Sequence, residues 1–284
     1  MRELLILPAV GVVALLGEIR DRLGERAHNP FYDRLPPGET VRRYLIATSG
    51  RTGSTLLCSR IGEYGRLGFP DEFLNEAYIS QFDRLFPTPN LEDFEAYVSA
   101  SFASEDGVFG LKTDWWRFQS ARRLDLFRSF YEPLDLVVFL RREDFVAQAV
   151  SLTLAVETEL WHERDVVVGD LEDRQRQIPF DADKVELHAR NILNQEYYWT
   201  RFLEESPAPR VDLFYEDLAR DVDAGVAAIA RAFDIPPPPA APSAPAVRKP
   251  RSEVPAEWAE RFAAERADFV RYWRINRGEL TASS

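Results

Sequence analysis

The 284-residue sequence has one cysteine, Cys58, and three histidines, His28, His162 and His188. A lone cysteine excludes an internal disulfide and a cysteine-rich metal site and suits a reducing compartment, so a cytoplasmic location is expected. The histidines are too scattered for a zinc site or a nucleophile–base pair, and no metal is expected. Gly-x-Ser-x-Gly is absent, which leaves a serine hydrolase of the α/β type without support. Basic excess is missing too. A net charge of −12 argues against a nucleic-acid-binding surface, though not against a small nucleotide held in one pocket. The apolar run Leu4–Gly17 is short for a membrane span, contains Pro8, and has neither a net positive charge before it nor a small-residue cleavage site. It reads as a packed or interfacial helix, with peripheral membrane contact as the alternative.

What the chain does contain centres on residues 44–76. Tyr44–Thr48 is a short apolar run expected to be a buried strand. Ser49-Gly50-Arg51-Thr52-Gly53 turns out of it, and Ser54–Tyr64 continues with Leu57, Ile61 and Tyr64 at helical spacing. A strand, a tight glycine turn and a helix aim backbone N–H groups and the positive end of a helix dipole at one point, which suits a phosphate or sulfate. Gly50 and Gly53 allow close approach, and Arg51, Thr52, Ser54 and Thr55 add side-chain donors. A nucleotide-binding P-loop needs four residues between its glycines followed by Gly-Lys-Ser/Thr. Here two residues separate the glycines, no lysine follows, and the cation precedes the second glycine as Arg51.

Strands and helices alternate downstream, which predicts an α/β fold with a mainly parallel sheet flanked by helices in three layers. Leu91–Ala103 is a helix candidate with Phe94, Val98 and Phe102 in register, and Val108–Thr113 is a short strand leading to Trp115-Trp116. The two tryptophans are adjacent, so only one is expected to face inward. Leu134–Leu140 is the clearest buried strand. Arg141-Arg142-Glu143-Asp144 follows it, and then a helix whose buried stripe is expected at Phe145, Ala149, Leu152 and Val156, with Gln148 and Ser151 on another face. Paired arginines at a strand end make a second anion site, since ligands of open parallel sheets gather at the carboxyl ends of strands; a solvated arginine pair is the plainer reading. Asp183–Glu205 reads as a long helix with Asp183 as N-cap, Val211–Tyr215 as a strand, and 215–233 as a helix. Pro236–Ala246 reads as an extended connection, and Trp258, Phe262, Phe269 and Tyr272 as the stripe of a last helix.

Arg51-Thr52-Gly53-Ser54-Thr55 with Leu56-Leu57, and Gly68-Phe69-Pro70-Asp71-Glu72-Phe73 after it, resembles the phosphosulfate-binding loop of sulfotransferases. More narrowly, it resembles the bacterial trehalose 2-sulfotransferase family. The resemblance spans about residues 44–233. It implies a P-loop-like sulfotransferase fold over residues 41–284, after an N-terminal helical appendage and linker at 1–40. It also implies 3′-phosphoadenosine 5′-phosphosulfate as donor and a carbohydrate or glycolipid hydroxyl as acceptor. Residue by residue, Glu72 matches the base of the Gly-x-Pro-x-Glu-Phe segment, and a helix-start carboxylate is the other reading of it. An apolar wall such as Phe73 is expected to raise its pKa. Arg51 and the loop match the phosphosulfate site, and Arg142 with Ser151 the 3′-phosphate site, Arg141 remaining a rival. Lys112, in a Gly-x-Lys segment before Trp115, matches a position near the substrate; a surface lysine and a core tryptophan are the alternatives. Lys249, in Arg248-Lys249-Pro250-Arg251, matches a basic loop over the 3′-phosphate, where a solvated charge run reads equally well. A P-loop kinase would need the missing lysine, and a catalytically silent nucleotide-binding or membrane-peripheral module would bind without turnover. A homodimer stays open.

Overall fold

In a computed structural model of the chain, residues 42–85, 91–161, 168–239 and 252–279 are described. Leu4–Gly17 and the rest of 1–41, Lys249 and its neighbours, His28 and His162 lie outside them. In chain order the elements are β1 (Arg42–Thr48), α1 (Ser54–Tyr64), α2 (Glu76–Leu85), α3 (Leu91–Phe102), β2 (Val108–Asp114), α4 (Trp115–Leu124) and β3 (Leu136–Arg141). There follow α5 (Phe145–Thr158), α6 (Val168–Arg176), α7 (Ala182–Glu205), β4 (Arg210–Phe214), α8 (Tyr215–Arg220), α9 (Val222–Ala232), α10 (Val254–Glu265) and α11 (Ala267–Asn276). By packing, the chain divides into two units. One comprises residues 42–141 and 195–239 and the other 142–194 and 252–279, taking the described residues of each.

The first unit is built on a parallel sheet of order β2-β1-β3-β4. Strands covered on both faces read as continuous apolar runs, which is why Tyr44–Ala47 and Leu136–Leu140 show no alternation. Leu45 and Ala47 point into a core shared with Phe109, Leu111, Phe139, Trp116, Phe118 and Trp199. Tyr44 and Ile46 point the other way, against Leu57 and Ile61 of α1 and Val226 and Ile229 of α9. Helices therefore cover both faces, and the three-layer α/β expectation holds. After β1 the chain forms β2 on one side of it and β3 on the other, so a topological switch point falls at the carboxyl end of β1, the place where such sheets bind ligands.

The second unit is helical. Phe145, Ala149 and Leu154 of α5, Val185, Ala189 and Ile192 of α7, and Trp258 and Phe262 of α10 form its core.

Several local expectations are corrected. On α5 the buried set includes Gln148, while Leu152 is half-buried and Val156 is 40% exposed; packing on two sides, rather than a single stripe, decides burial here. The N-cap of α7 is Asp181, whose Oδ1 accepts the amides of Asp183 and Lys184. What reads as one helix over 215–233 is α8 and α9, parted at Asp221, whose carboxylate accepts the Ala224 amide and restarts the helix. The terminal stripe is likewise two helices meeting at Arg266, with Tyr272 exposed. Trp115 and Trp116 are both buried, because successive helical residues stand only about 100° apart and a broad apolar face takes both.

Candidate active site

The turn after β1 is held in an unusual backbone shape. Gly50 and Gly53 have φ of 79° and 77°, and Arg51, which is not glycine, also lies in the left-handed region at 55°. A non-glycine residue there is strained and persists only where its surroundings impose it. Those surroundings are visible. The Thr48 and Thr52 hydroxyls are hydrogen-bonded at 2.6 Å, the Gly50 amide donates to Thr48 Oγ1 at 3.3 Å, and the Trp199 indole donates to the Thr48 carbonyl at 3.0 Å. Thr52 is fully buried, so its hydroxyl braces the loop from inside. Tyr215 closes the other side: a Cβ on Gly53 would lie 2.7 Å from its ring. Gly53 is also the cap residue of α1, with no side-chain cap bond and no acidic residue in the first turn. The start of α1 thus keeps its positive character, which favours an anion in front of it.

Glu72 is brought to the same end of the sheet by a short strand-like contact. Asp71 bridges Leu111 of β2, the Lys112 amide donates to the Asp71 carbonyl at 3.0 Å, and Lys112 itself pairs with Ile46 of β1. Gly110 makes room for this, since a Cβ there would press on the Tyr44 ring and on Pro70. Lys112 Nζ lies 3.1 Å from Glu72 Oε1 and 3.7 Å from Asp71 Oδ1, and Asn75 Nδ2 donates to Glu72 Oε2 at 2.7 Å. Burial pushes the Glu72 carboxyl up, but Lys112, the Asn75 bond and the charge of Arg117 together outweigh it and hold the group below the usual carboxylate range. This reverses the expected upward shift. The Phe73 ring is not the wall of the carboxylate; it is packed in the core against Phe102 and Phe109. The helix-start reading of Glu72 also fails, because α2 begins at Glu76 and its cap is Asn75, which takes the amides of Ala77 and Ile79.

Lys112 is therefore no surface lysine: its side chain is 5% exposed. Desolvation pulls its pKa down, and Glu72, Cys58 and Asp71 more than restore it, so the ammonium stays charged. One helix further, Arg117 joins Glu76 Oε2 at 2.9 Å and Asp114 Oδ2 at 2.5 Å; burial lowers its pKa, and the two carboxylates raise it by more. Trp115 stacks on Tyr198 at 5.6 Å and meets Trp199 edge-on at 5.0 Å, so it stands among core rings.

The second pair of expected residues belongs to the helical unit. Arg142 precedes α5 and Ser151 lies within it, both half-buried. Arg277 grips this turn, donating to the Arg142 carbonyl at 2.7 Å and to the Glu143 carbonyl at 2.6 Å. Asp144 caps α5 through the Ala147 amide. Arg141, in the sheet unit, is committed elsewhere: it lies over the Phe139 and Phe214 rings and reaches Asp212 at 3.3 Å. Among the described residues, no group of three or more His, Cys, Asp or Glu could hold a metal ion, and no helix is long and apolar enough to cross a membrane.

The sequence model described as Stf0 sulphotransferase matches residues 43–265, from β1 to the end of α10. The chain belongs to the Stf0 sulphotransferase family. Over 263 residues it is 27% identical to the trehalose 2-sulfotransferase of Mycobacterium tuberculosis (strain ATCC 35801 / TMC 107 / Erdman), covering 79% of this chain and 96% of that protein. The trehalose 2-sulfotransferase of Mycolicibacterium smegmatis (strain ATCC 700084 / mc(2)155) is 24% identical over 263 residues, covering 77% and 93%.

In this Stf0 sulphotransferase several residues of the site carry no sequence signal of their own. Asn75 could have been found from its three-residue spacing to Glu72, which a turn brings together. Arg117 and Tyr215 could not, since each meets its partners through packing between distant segments.

Proposed function

We propose that this protein transfers a sulfuryl group from 3′-phosphoadenosine 5′-phosphosulfate to a hydroxyl of a carbohydrate or glycolipid-type acceptor. The observation that carries the proposal is an uncapped helix start behind a left-handed glycine turn, with a half-exposed carboxylate at the same end of the sheet. The first suits the phosphosulfate, the second the hydroxyl. The names of the two mycobacterial relatives support a sugar acceptor.

In this reading the amides of residues 50–55 and the Arg51 guanidinium hold the phosphosulfate bridge and stabilise the charge that builds on the departing phosphate. Such preorganised donors are worth about 3–4 kcal/mol each in other enzymes. The acceptor oxygen forms its bond to sulfur in line, the sulfur–oxygen bond to the phosphate breaks, and the bridging oxygen leaves with the electron pair as adenosine 3′,5′-bisphosphate. Glu72 takes the acceptor's proton. Arg142, just before α5, and Ser151 within it are assigned to the 3′-phosphate on the resemblance to sulfotransferases, with Arg141 as the rival. A cytoplasmic setting suits the single thiol, whose pKa burial pushes up to about 12.

The test is incubation with the ³⁵S-labelled donor and a panel of trehalose, other sugars, glycolipids and phenols. Label on a sugar hydroxyl is the expected result. Binding of the donor without transfer to any acceptor would overturn the proposal in favour of a silent nucleotide-binding module.

A further inference from the structure

Among the described residues, Lys112 is the buried cation; the arginines and other lysines keep more contact with water. A desolvated ammonium is costly unless a carboxylate compensates it closely, and the compensating group here is Glu72 at 3.1 Å, with Asp71 at 3.7 Å behind it. The two side chains differ sharply in access: Lys112 is 5% exposed and Glu72 35%. The carboxylate is the member of the pair more open to a substrate. Its two oxygens are each assigned a partner, Oε1 to Lys112 and Oε2 to Asn75, which fixes the plane of the group. The backbone holds the pair in register as well, through the Lys112 amide bonded to the Asp71 carbonyl.

We propose that Lys112 is the positioning residue of Glu72, a buried ammonium that fixes the carboxylate's orientation and keeps it in its anionic, proton-accepting form. The inference rests on Glu72 being the base. It assigns Lys112 a partner within the protein in place of a contact with substrate. The charged and titratable groups facing Glu72 are Asp71 on its own segment, Lys112 on β2, Arg117 on α4 and Cys58 on α1. Arg117 already has Glu76 and Asp114, so Lys112 is the cation whose loss Glu72 would feel.

Two measurements on the full chain test this. In the first, the Glu72 carboxyl is followed by ¹³C NMR against pH, assigned by its loss in Glu72→Gln. Lys112→Met, and Lys112→Gln in case the first variant does not fold, should raise the titration midpoint by about one to three pH units, the usual effect of removing an adjacent opposite charge. Lys112→Arg should leave it low. An unchanged midpoint in the folded uncharged variants overturns the proposal. In the second, the loss of kcat/KM for sulfuryl transfer in Lys112→Met should be largest on the acid side, about 5–10-fold at about one pH unit below the variant's own Glu72 midpoint, and should shrink as the pH rises past that midpoint and the carboxylate ionises without help. A loss of equal size at every pH, with no part that shrinks as the pH rises, would mean that Lys112 does not hold Glu72 in its anionic form and would overturn the proposal. The two readouts separate the two ideas: a Glu72 midpoint that moves in a protein without sulfuryl transfer keeps the Lys112–Glu72 coupling and removes the proposed function.

Discussion

Two strand-to-helix junctions of this chain look alike in sequence and differ in how they treat the helix start. At the β1–α1 junction the cap is Gly53, left-handed, with no side chain bonded to the first turn. At the β3–α5 junction the cap is Asp144, whose carboxylate takes the Ala147 amide at 2.9 Å. The first helix start is left positive for an incoming anion; the second has been neutralised by its own residue. The second helix start already has one of its amides taken by a side chain, while the first has none of its amides bonded to a cap side chain. A strand followed by cations and a helix is thus not one kind of site, and the cap residue tells the kinds apart.

If the chemistry belongs beside the first junction, the largest effect should come from Glu72→Gln. Turnover is expected to fall by about 10²–10⁴-fold with donor binding kept, read from single-turnover transfer and calorimetry. Activity within a few-fold of wild type would remove Glu72 as the base. Gly53→Ala attacks the backbone half of the comparison: a left-handed alanine facing the Tyr215 ring should cost about 2–4 kcal/mol of stability and weaken donor binding, seen in denaturant unfolding and calorimetry. Arg142→Ala attacks the side-chain half. It should weaken adenosine 3′,5′-bisphosphate by about 1.5–3 kcal/mol relative to AMP, whereas Arg141→Ala should leave that preference in place. The reverse outcome would exchange the two arginines. Smallest is Asp144→Ala, expected to lower stability by about 1 kcal/mol through the lost cap, measured as a modest drop in the unfolding midpoint with the affinity for phosphate groups held or slightly improved.

Much of this contrast is legible in the order of residues alone. The glycine turn announces itself because few backbones need Gly50 and Gly53 so close together, and Leu136–Leu140 reads as buried because it has no polar face. Elements read less well where packing, not pattern, decides. Val156 keeps the spacing of a core residue yet is exposed, and Gln148 is buried although polar. The site follows the same division. Glu72 and Arg51 sit in recognisable strings, but the Lys112–Glu72 pair depends on Asp71 lying against Leu111, a contact that no local spacing encodes. For that reason the Glu72 shift takes the wrong sign when it is reasoned from Phe73, its neighbour in the chain, and the right one only when the distant ammonium is counted.

The order β2-β1-β3-β4 has one further consequence, for the time course of folding. Arg42 pairs with Val108, Tyr44 with Leu136 and Val137 with Arg210, so no rung between the described strands joins residues close in the chain. No hairpin can seed such a sheet, and each rung must first bear the entropy of closing a long loop. β1 and β3 are the two interior strands, each waiting for neighbours on both sides, and the turn after β1 gains one of its braces only when Trp199, far down the chain, reaches the Thr48 carbonyl. Slow refolding, with apolar strand edges open in the meantime, is the expected kinetic counterpart of placing this turn at the end of an interior strand of a parallel sheet.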